Sequence, residues 1–474
     1  FKRNGSEAMK YILNENIALR SWHMVPHAYY VRHMRNAAGL TEAEFEFLSA
    51  CDGVTEAPAG AEELAEKFLA SGMIREAEAG ETVSQWSRPR YCDNRYFPAL
   101  NLMLTGKCNY NCLHCFNAAD NAPLMSEFSF EEALSLLDEA KLCGINAFTI
   151  TGGEPMLHRN FFEIIEGIYE RGMYVEELNT NGFLLNQEAL DRFKDIDCYP
   201  LIKISFDGTG HHDWLRNRAG AEADALRAIK LCVENGFRVK VQTNVHRKNL
   251  ESMMPTALLM EKLGAAELRI IRTTEAPRWV QNGGEYTLNL SEYFDAMLDL
   301  VSEYKEKIKN MSLDIWQFAD LFPQSRSFRM RPVECAEGEY RDSIPVCRGN
   351  RGMVAVGADG SVYPCHQLSG EYERRNEHLG NVKTEGLQSL LRESRYLSEV
   401  CTTAGELKSV NSKCASCRYF RYCAGGCRAV ALVLTDDKLG CDPSKCMFFE
   451  SGYHRRITEI MGEWRNLAPV SEEL

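Results

Sequence analysis

The sequence predicts an α/β protein built on a partial (β/α)6 barrel of TIM type. A small winged-helix-like domain precedes the barrel and a loop-rich, cysteine-rich domain follows it. Three observations predict this arrangement. Strand and helix patterns alternate six times from residue 99 onward, at roughly 30-residue spacing, as a helix-wound parallel sheet requires. Before them, short strand patterns lead into two amphipathic helices. After residue 335 the alternation stops and cysteines crowd the chain. A length of 474 residues accommodates about three domains at roughly 150 residues each. The expected boundaries are 1–90 for the small domain and its linker, 91–290 for the barrel and 291–334 for a bridging helical region. The cysteine-rich domain then takes 335–450, and a closing helix and tail take 451–474.

In chain order, residues 11–31 read as short strands, with Tyr29, Tyr30 and Val31 as strand formers. Thr41 with Glu44 three residues later forms a capping box ahead of Phe45, Phe47 and Leu48. Cys51-Asp52-Gly53 ends that helix, and residues 61–69 form a second one with Leu64, Ala65, Phe68 and Leu69 on one face. Residues 76–96 are polar and linker-like. The barrel strands are expected at 99–104, 147–151, 174–179, 201–206, 238–245 and 267–271. Helices between them include 131–142, 161–171 and 223–235, and the closing helix is expected near 451–467.

Composition narrows the function. Fifty-four basic against 67 acidic side chains leave a formal charge of −13, which argues against a general nucleic-acid binder. No apolar run reaches the roughly 18 residues that a membrane crossing needs. The first residues carry no apolar core of the secretory type. The expectation is a cytoplasmic protein with no membrane or nucleic-acid partner. Eighteen cysteines in such a chain point to metal rather than to a disulfide scaffold.

The first cysteine group is Cys108, Cys112 and Cys115, spaced C-x3-C-x2-C just after the first barrel strand. Functional loops of parallel barrels gather at that end of the strands. Three thiolates can hold three irons of a cubane cluster and leave the fourth iron open; a zinc site with a further ligand is the alternative. After the second strand comes Thr151-Gly152-Gly153-Glu154-Pro155, two glycines that permit close backbone approach and one carboxylate.

Together these motifs resemble the radical S-adenosylmethionine enzymes, over about residues 98–290. The resemblance implies that Cys108, Cys112 and Cys115 hold a 4Fe–4S cluster whose open iron is chelated by S-adenosylmethionine. Gly152, Gly153 and Glu154 would lie beside the cofactor's amino group. His114 fits the aromatic residue usual before the third cysteine. Ser205 and Asp207, ending the fourth strand, are similar to ribose-holding positions. Thr180-Asn181-Gly182 and Asn244 also point to the mouth; turn capping is the plainer alternative for each.

The second set runs Cys347, Gly360, Cys365, then Cys414-x2-Cys417-x5-Cys423-x3-Cys427, and Cys446 after Asp442-Pro443. It resembles the SPASM extension of one branch of that family, which carries two auxiliary 4Fe–4S clusters, three clusters in all. The resemblance assigns Cys347, Cys365 and Cys427 to the first auxiliary cluster, with Cys335 as its eighth-cysteine candidate. Cys414, Cys417, Cys423 and Cys446 go to the second, with Cys441 a rival to Cys446. Without Cys335, an open iron would remain in the first.

Residues 10–80, above all 40–74, resemble the small peptide-recognition domain of ribosomal-peptide maturation systems, where a leader peptide adds a strand to a sheet. The implied function is a peptide maturase that generates a 5′-deoxyadenosyl radical and takes hydrogen from a precursor peptide, forming a thioether or carbon–carbon cross-link. Its partners would be that precursor and a flavodoxin- or ferredoxin-type electron donor. The alternatives are a peptide epimerase, a sulfatase-maturing enzyme and a non-catalytic iron–sulfur protein. Sulfatase maturation is disfavoured because His366 stands where those enzymes carry an aspartate. None of the spare barrel cysteines Cys143, Cys198 and Cys232 lies at a strand's C-terminal end, which argues against an epimerase thiol, while Cys401 and Cys441 in the loop-rich extension leave that alternative open. No single residue is assigned as catalytic.

Overall fold

The computed structural model describes residues 9–34, 37–116, 125–335, 340–347, 352–392 and 394–470. The chain begins with β1 (Lys10–Leu13), β2 (Ile17–Trp22), β3 (Val25–Val31), β4 (Ala37–Gly39), α1 (Glu42–Ala50), β5 (Asp52–Glu56), α2 (Glu62–Ala70), β6 (Ile74–Glu76) and β7 (Arg90–Cys92). They form two small sheets, ordered β5-β1-β6 and β4-β3-β2-β7. The Thr41–Glu44 capping box is present at the start of α1. Leu13, Leu19, Phe45, Leu48 and Phe68 bury a separate small core beneath the two helices.

Residues 76–96 are not a loose linker. β7 pairs in parallel with β2, and Trp86 is buried between Tyr30 and Tyr174. Arg90 donates to the carbonyls of Arg171 and Gly172 at 2.9 and 2.7 Å. Arg20, fully buried, donates to Asn146 at 2.7 Å and to the carbonyls of Leu19, Arg88 and Trp86. A polar stretch anchored by single Trp and Arg side chains has no periodicity to reveal it. Those anchors bolt the small domain to the barrel.

The barrel follows as β8 (Ala99–Met103), α3 (Phe130–Leu142), β9 (Ala147–Thr151), α4 (Phe161–Glu170), β10 (Tyr174–Thr180), α5 (Gln187–Asp195) and β11 (Leu201–Ser205). Then come α6 (His212–Arg216), α7 (Ala221–Glu234), β12 (Val239–Val245), α8 (Met253–Lys262) and β13 (Glu267–Arg272). The six strands are parallel neighbours in chain order. Leu100, Leu102, Phe148, Ile150, Ile202, Ile204, Val239 and Val241 join the apolar core that includes the helices.

Beyond β13 the chain adds α9 (Pro277–Gly283), α10 (Leu290–Lys307), β14 (Ser312–Ile315), β15 (Ala319–Phe322) and β16 (Ser327–Met330), then β17 (Met353–Val356), β18 (Val362–Tyr363) and β19 (Arg465–Asn466). These six strands and the six barrel strands form one sheet ordered β18-β17-β8-β9-β10-β11-β12-β13-β14-β15-β16-β19. The region expected to be helical at 291–334 is therefore one helix followed by three strands. Strands of four residues are too short to show alternation. β17 pairs in parallel with β8, so the cysteine-rich region is stitched directly to the first barrel strand.

Candidate active site and cysteine centres

The first cysteine loop is shaped by its neighbours' backbones. The N–H of Gly153 donates to Thr105 O and that of Glu154 to Lys107 O, both at 2.8 Å. A Cβ on Gly152 would sit 2.5 Å from Thr105 O, and one on Gly153 would sit 2.3 Å from Lys107 O. The glycines are thus needed for contact with the segment that launches Cys108. Below them Glu154 is fully buried and accepts from Thr180 Oγ1 at 2.9 Å and from the Asn181 N–H at 2.8 Å. Burial raises its carboxyl to about 7. Asn181 also donates from its amide to Asn109 Oδ1 at 2.7 Å, so the loop after β10 braces the cysteine loop from the other side.

Cys108, Cys112 and Cys115 are brought together. Enclosure pushes the Cys108 thiol up to about 12, with Cys112, Glu154 and Cys115 adding to the effect. Binding metal through such thiols requires their deprotonation. The Tyr110 N–H donates to Cys108 Sγ at 3.4 Å, and Arg216 Nη1 donates to Cys112 Sγ at 3.9 Å. Leu113 N–H donates to Leu215 O at 2.9 Å, tying the loop to α6.

Asp207 lies just beyond the C-terminal end of β11. It is fully buried; Oδ2 accepts from Arg216 Nε at 2.7 Å and lies 2.9 Å from His212 Nδ1, while Oδ1 accepts from the Asn244 N–H at 2.9 Å. Although burial works against ionisation, Arg216 and His212 hold the carboxyl well below the usual range. Ser205 is half-buried at the C-terminal end of β11. Asn244 contributes its backbone: its carbonyl accepts from Asn249 Nδ2 at 3.0 Å. Around this centre several buried polar atoms lack a protein partner: Arg216 Nη2, His114 Nδ1, His212 Nε2 and both ring nitrogens of His246. Donors left over beside thiols fit a large anionic group at the mouth.

The later cysteines form two further groups. Burial pushes the Cys365 thiol up, with Cys427 and then Cys347 adding to it, so these three are neighbours. Cys414, Cys417, Cys423, Cys441 and Cys446 line one cavity with Lys445 and Asp442. Cys414 and Cys441 Sγ lie 3.8 Å apart. Asp442 ties the groups: Oδ2 accepts from the Cys427 N–H at 2.8 Å, and Oδ1 caps the helix Pro443–Glu450 that carries Cys446. The Cys335 N–H donates to Tyr422 O at 3.2 Å, which sets Cys335 against the segment that carries Cys423. Among the described residues no three His, Cys, Asp or Glu side chains close around a point one ion would fill.

His366 is buried, with Nε2 3.2 Å from Asn101 O, and burial lowers it to about 4. Two features escaped sequence reading. One is Arg216 with His212, eleven and seven residues beyond Ser205, on the short helix α6. The other is a run of charges across the sheet: Glu177–Lys203 at 2.7 Å, Lys240–Glu267 at 2.5 Å, Lys240–Asp314 at 3.2 Å and Arg269–Asp314 at 2.9 Å. Lys203 and Lys240 are each the one charged residue of their strands, LIKIS and VKVQTNV, a signal visible in the sequence.

Comparison with known proteins gives the family. The radical SAM superfamily model matches residues 102–260, and the SPASM iron–sulfur cluster-binding domain model matches residues 347–418. An AdoMet-dependent heme synthase of Methanosarcina barkeri is 25% identical over 342 residues, 72% of this chain and 93% of that protein. A PqqA peptide cyclase of Granulibacter bethesdensis is 23% identical over 382 residues, 78% of this chain and 93% of that protein. The crystal structure of Streptococcus suis SuiB bound to precursor peptide SuiA superposes with a TM-score of 0.64 at 14% identity, covering 92% of this chain and 99% of SuiB. No helix among the described residues is long and apolar enough to cross a membrane. The chain is a radical SAM enzyme with a SPASM domain, a class that uses S-adenosylmethionine, a 4Fe–4S cluster and auxiliary iron–sulfur clusters.

Proposed function

We propose that this enzyme modifies a ribosomally made precursor peptide and that the small N-terminal domain holds the peptide's leader. One observation carries the reading. The similarity to peptide-bound SuiB spans 92% of this chain and so cannot leave out the small domain as a whole. The heme synthase similarity stops at 72%. A domain with two small sheets offers edge strands to which an extended peptide can add.

Within this reading, Cys108, Cys112 and Cys115 hold the barrel cluster, and Gly152, Gly153 and Glu154 line the amino-acid end of S-adenosylmethionine, with Ser205 and Asn244 at the neighbouring strand ends. Cys347, Cys365 and Cys427, with Cys335, hold one auxiliary cluster; Cys414, Cys417, Cys423 and Cys446 hold the other. The cofactor and its cluster supply a carbon radical able to remove hydrogen from an unactivated position. The chain's own contribution is to orient and enclose: Glu154 fixes the loop after β10, the glycines fix the cysteine loop, and the inner charges keep the barrel interior polar. A flavodoxin- or ferredoxin-type protein supplies electrons, and the product is a thioether or carbon–carbon cross-link.

Co-expression with each short open reading frame beside the gene, followed by mass spectrometry, tests this. A peptide lighter by about two mass units, the two hydrogens given up in an oxidative cross-link, is the expected result. An unmodified mass for every such peptide, with heme formed from an iron porphyrin instead, would overturn it in favour of the heme synthase reading that the 25% identity supports.

A further inference from the structure

The buried group beneath Cys112 has no part in the reading above, yet its geometry is specific. Arg216 reaches in two directions at once. Its Nη1 donates to Cys112 Sγ at 3.9 Å and its Nε donates to Asp207 Oδ2 at 2.7 Å. Asp207 is fully enclosed, with Arg216 donating to Oδ2, the Asn244 N–H donating to Oδ1, and His212 Nδ1 accepting from the Asp207 N–H at 3.0 Å while lying 2.9 Å from Oδ2. Its carbonyl accepts from Asn249 Nδ2 at 2.9 Å. The carboxylate is thereby locked to the ends of β11 and β12, and Arg216 is locked to the carboxylate. The backbone bond from Leu113 to Leu215 holds the cysteine loop at the same helix.

A guanidinium stays protonated in any such setting. Beside a cluster thiolate it is a fixed positive charge in a region largely closed to water, where charge interactions are screened little. Reduction adds one negative charge to the cluster, so a nearby cation favours the reduced form. Net charge and hydrogen bonds to the sulfurs are among the levers that set such potentials. Asp207 acts in the opposite sense, because its charge partly offsets that of Arg216.

We infer that Arg216, oriented by Asp207, is a positioning residue that sets the reduction potential of the barrel cluster through the Cys112 sulfur. The inference rests on the assignment of Cys112 as a ligand of that cluster. The two residues therefore have opposite effects. Removing the cation makes the cluster harder to reduce, and neutralising the carboxylate makes it easier.

The test is an EPR-monitored redox titration of the full-length reconstituted enzyme. The barrel cluster is identified as the signal that changes on adding S-adenosylmethionine. In R216Q its midpoint should move to lower potential, in D207N to higher potential, and in R216K it should stay near the wild type. The auxiliary signals should not move in any of the three. If R216Q fails to retain the cluster, D207N still carries the test through its upward shift. An unmoved or lowered midpoint in D207N, or an unmoved midpoint in R216Q, overturns the inference, because a merely structural role gives no opposed pair. Failure of the ligand assignment is distinguishable: C112A would then keep all its iron.

Discussion

The cysteine loop of the barrel and the cysteine groups near the C-terminus hold their thiols by different means. Around Cys108 the positions are set by the sheet: hydrogen bonds from Gly153 and Glu154 to the Thr105–Lys107 backbone, the Asn181 brace and the tie to α6. Around Cys414 and Cys446 the carriers are short helices, Ser412–Ser416, Phe420–Cys423 and Pro443–Glu450, joined by turns with left-handed residues at Ala424, Gly425 and Gly426. Isolated helices of this length have little stability in water. The contrast predicts that one site is built by the fold, whereas in the other bound metal adds to what holds the fold.

The strongest way to break this comparison is to delete the fold-built site. C108A/C112A/C115A should abolish cofactor cleavage while iron falls from about twelve to about eight per chain, at four irons per cluster. Iron analysis and 5′-deoxyadenosine assay check it; an unchanged iron content would remove the barrel loop from the metal account. Stripping all iron from the wild type with a chelator should next separate the regions. Hydrogen exchange should accelerate over 404–450 and change little over β8 to β13, because the sheet keeps its own backbone bonds. Equal acceleration in both regions would erase the contrast.

A third, narrower test is G153A. Its Cβ would meet Lys107 O at 2.3 Å and Gly106 O at 2.5 Å, so the launch of the cysteine loop must shift. S-adenosylmethionine affinity should fall at least about tenfold, or roughly 1.4 kcal/mol, with both auxiliary clusters intact. Equilibrium binding with iron analysis reads both. Affinity like the wild type would mean that the close approach is dispensable.

The same contrast explains how much was legible in the sequence. The six barrel strands follow from apolar runs at regular spacing, and Thr41 with Glu44 from capping chemistry. The cysteine and Gly-Gly-Glu motifs are legible because each is local in sequence. What the sequence hid is long-range. Asp207 reads as a polar strand-end residue suited to a sugar, and only the folded chain shows that His212 and Arg216 arrive from α6 at its Oδ2. Trp86 and Arg20 are single anchors without period. β17 pairs with β8 across some 250 residues, a contact that no local pattern encodes.

The smallest expected effect concerns the surplus thiol. Five cysteines line the second auxiliary cavity, while a cubane cluster offers four irons. Cys446 rides on the helix Pro443–Glu450, whose first turn is capped by Asp442 and opened by Pro443, so its direction is set before metal arrives. Cys441 precedes that cap, and its Sγ lies 3.6 Å from Asn411 Oδ1 as a donor. C441A should therefore retain about twelve irons and an unaltered EPR spectrum, whereas C446A should lose about four irons, the content of one cluster. Should C441A be the variant that loses them, the two thiols exchange roles and the capped helix is not what selects the ligand.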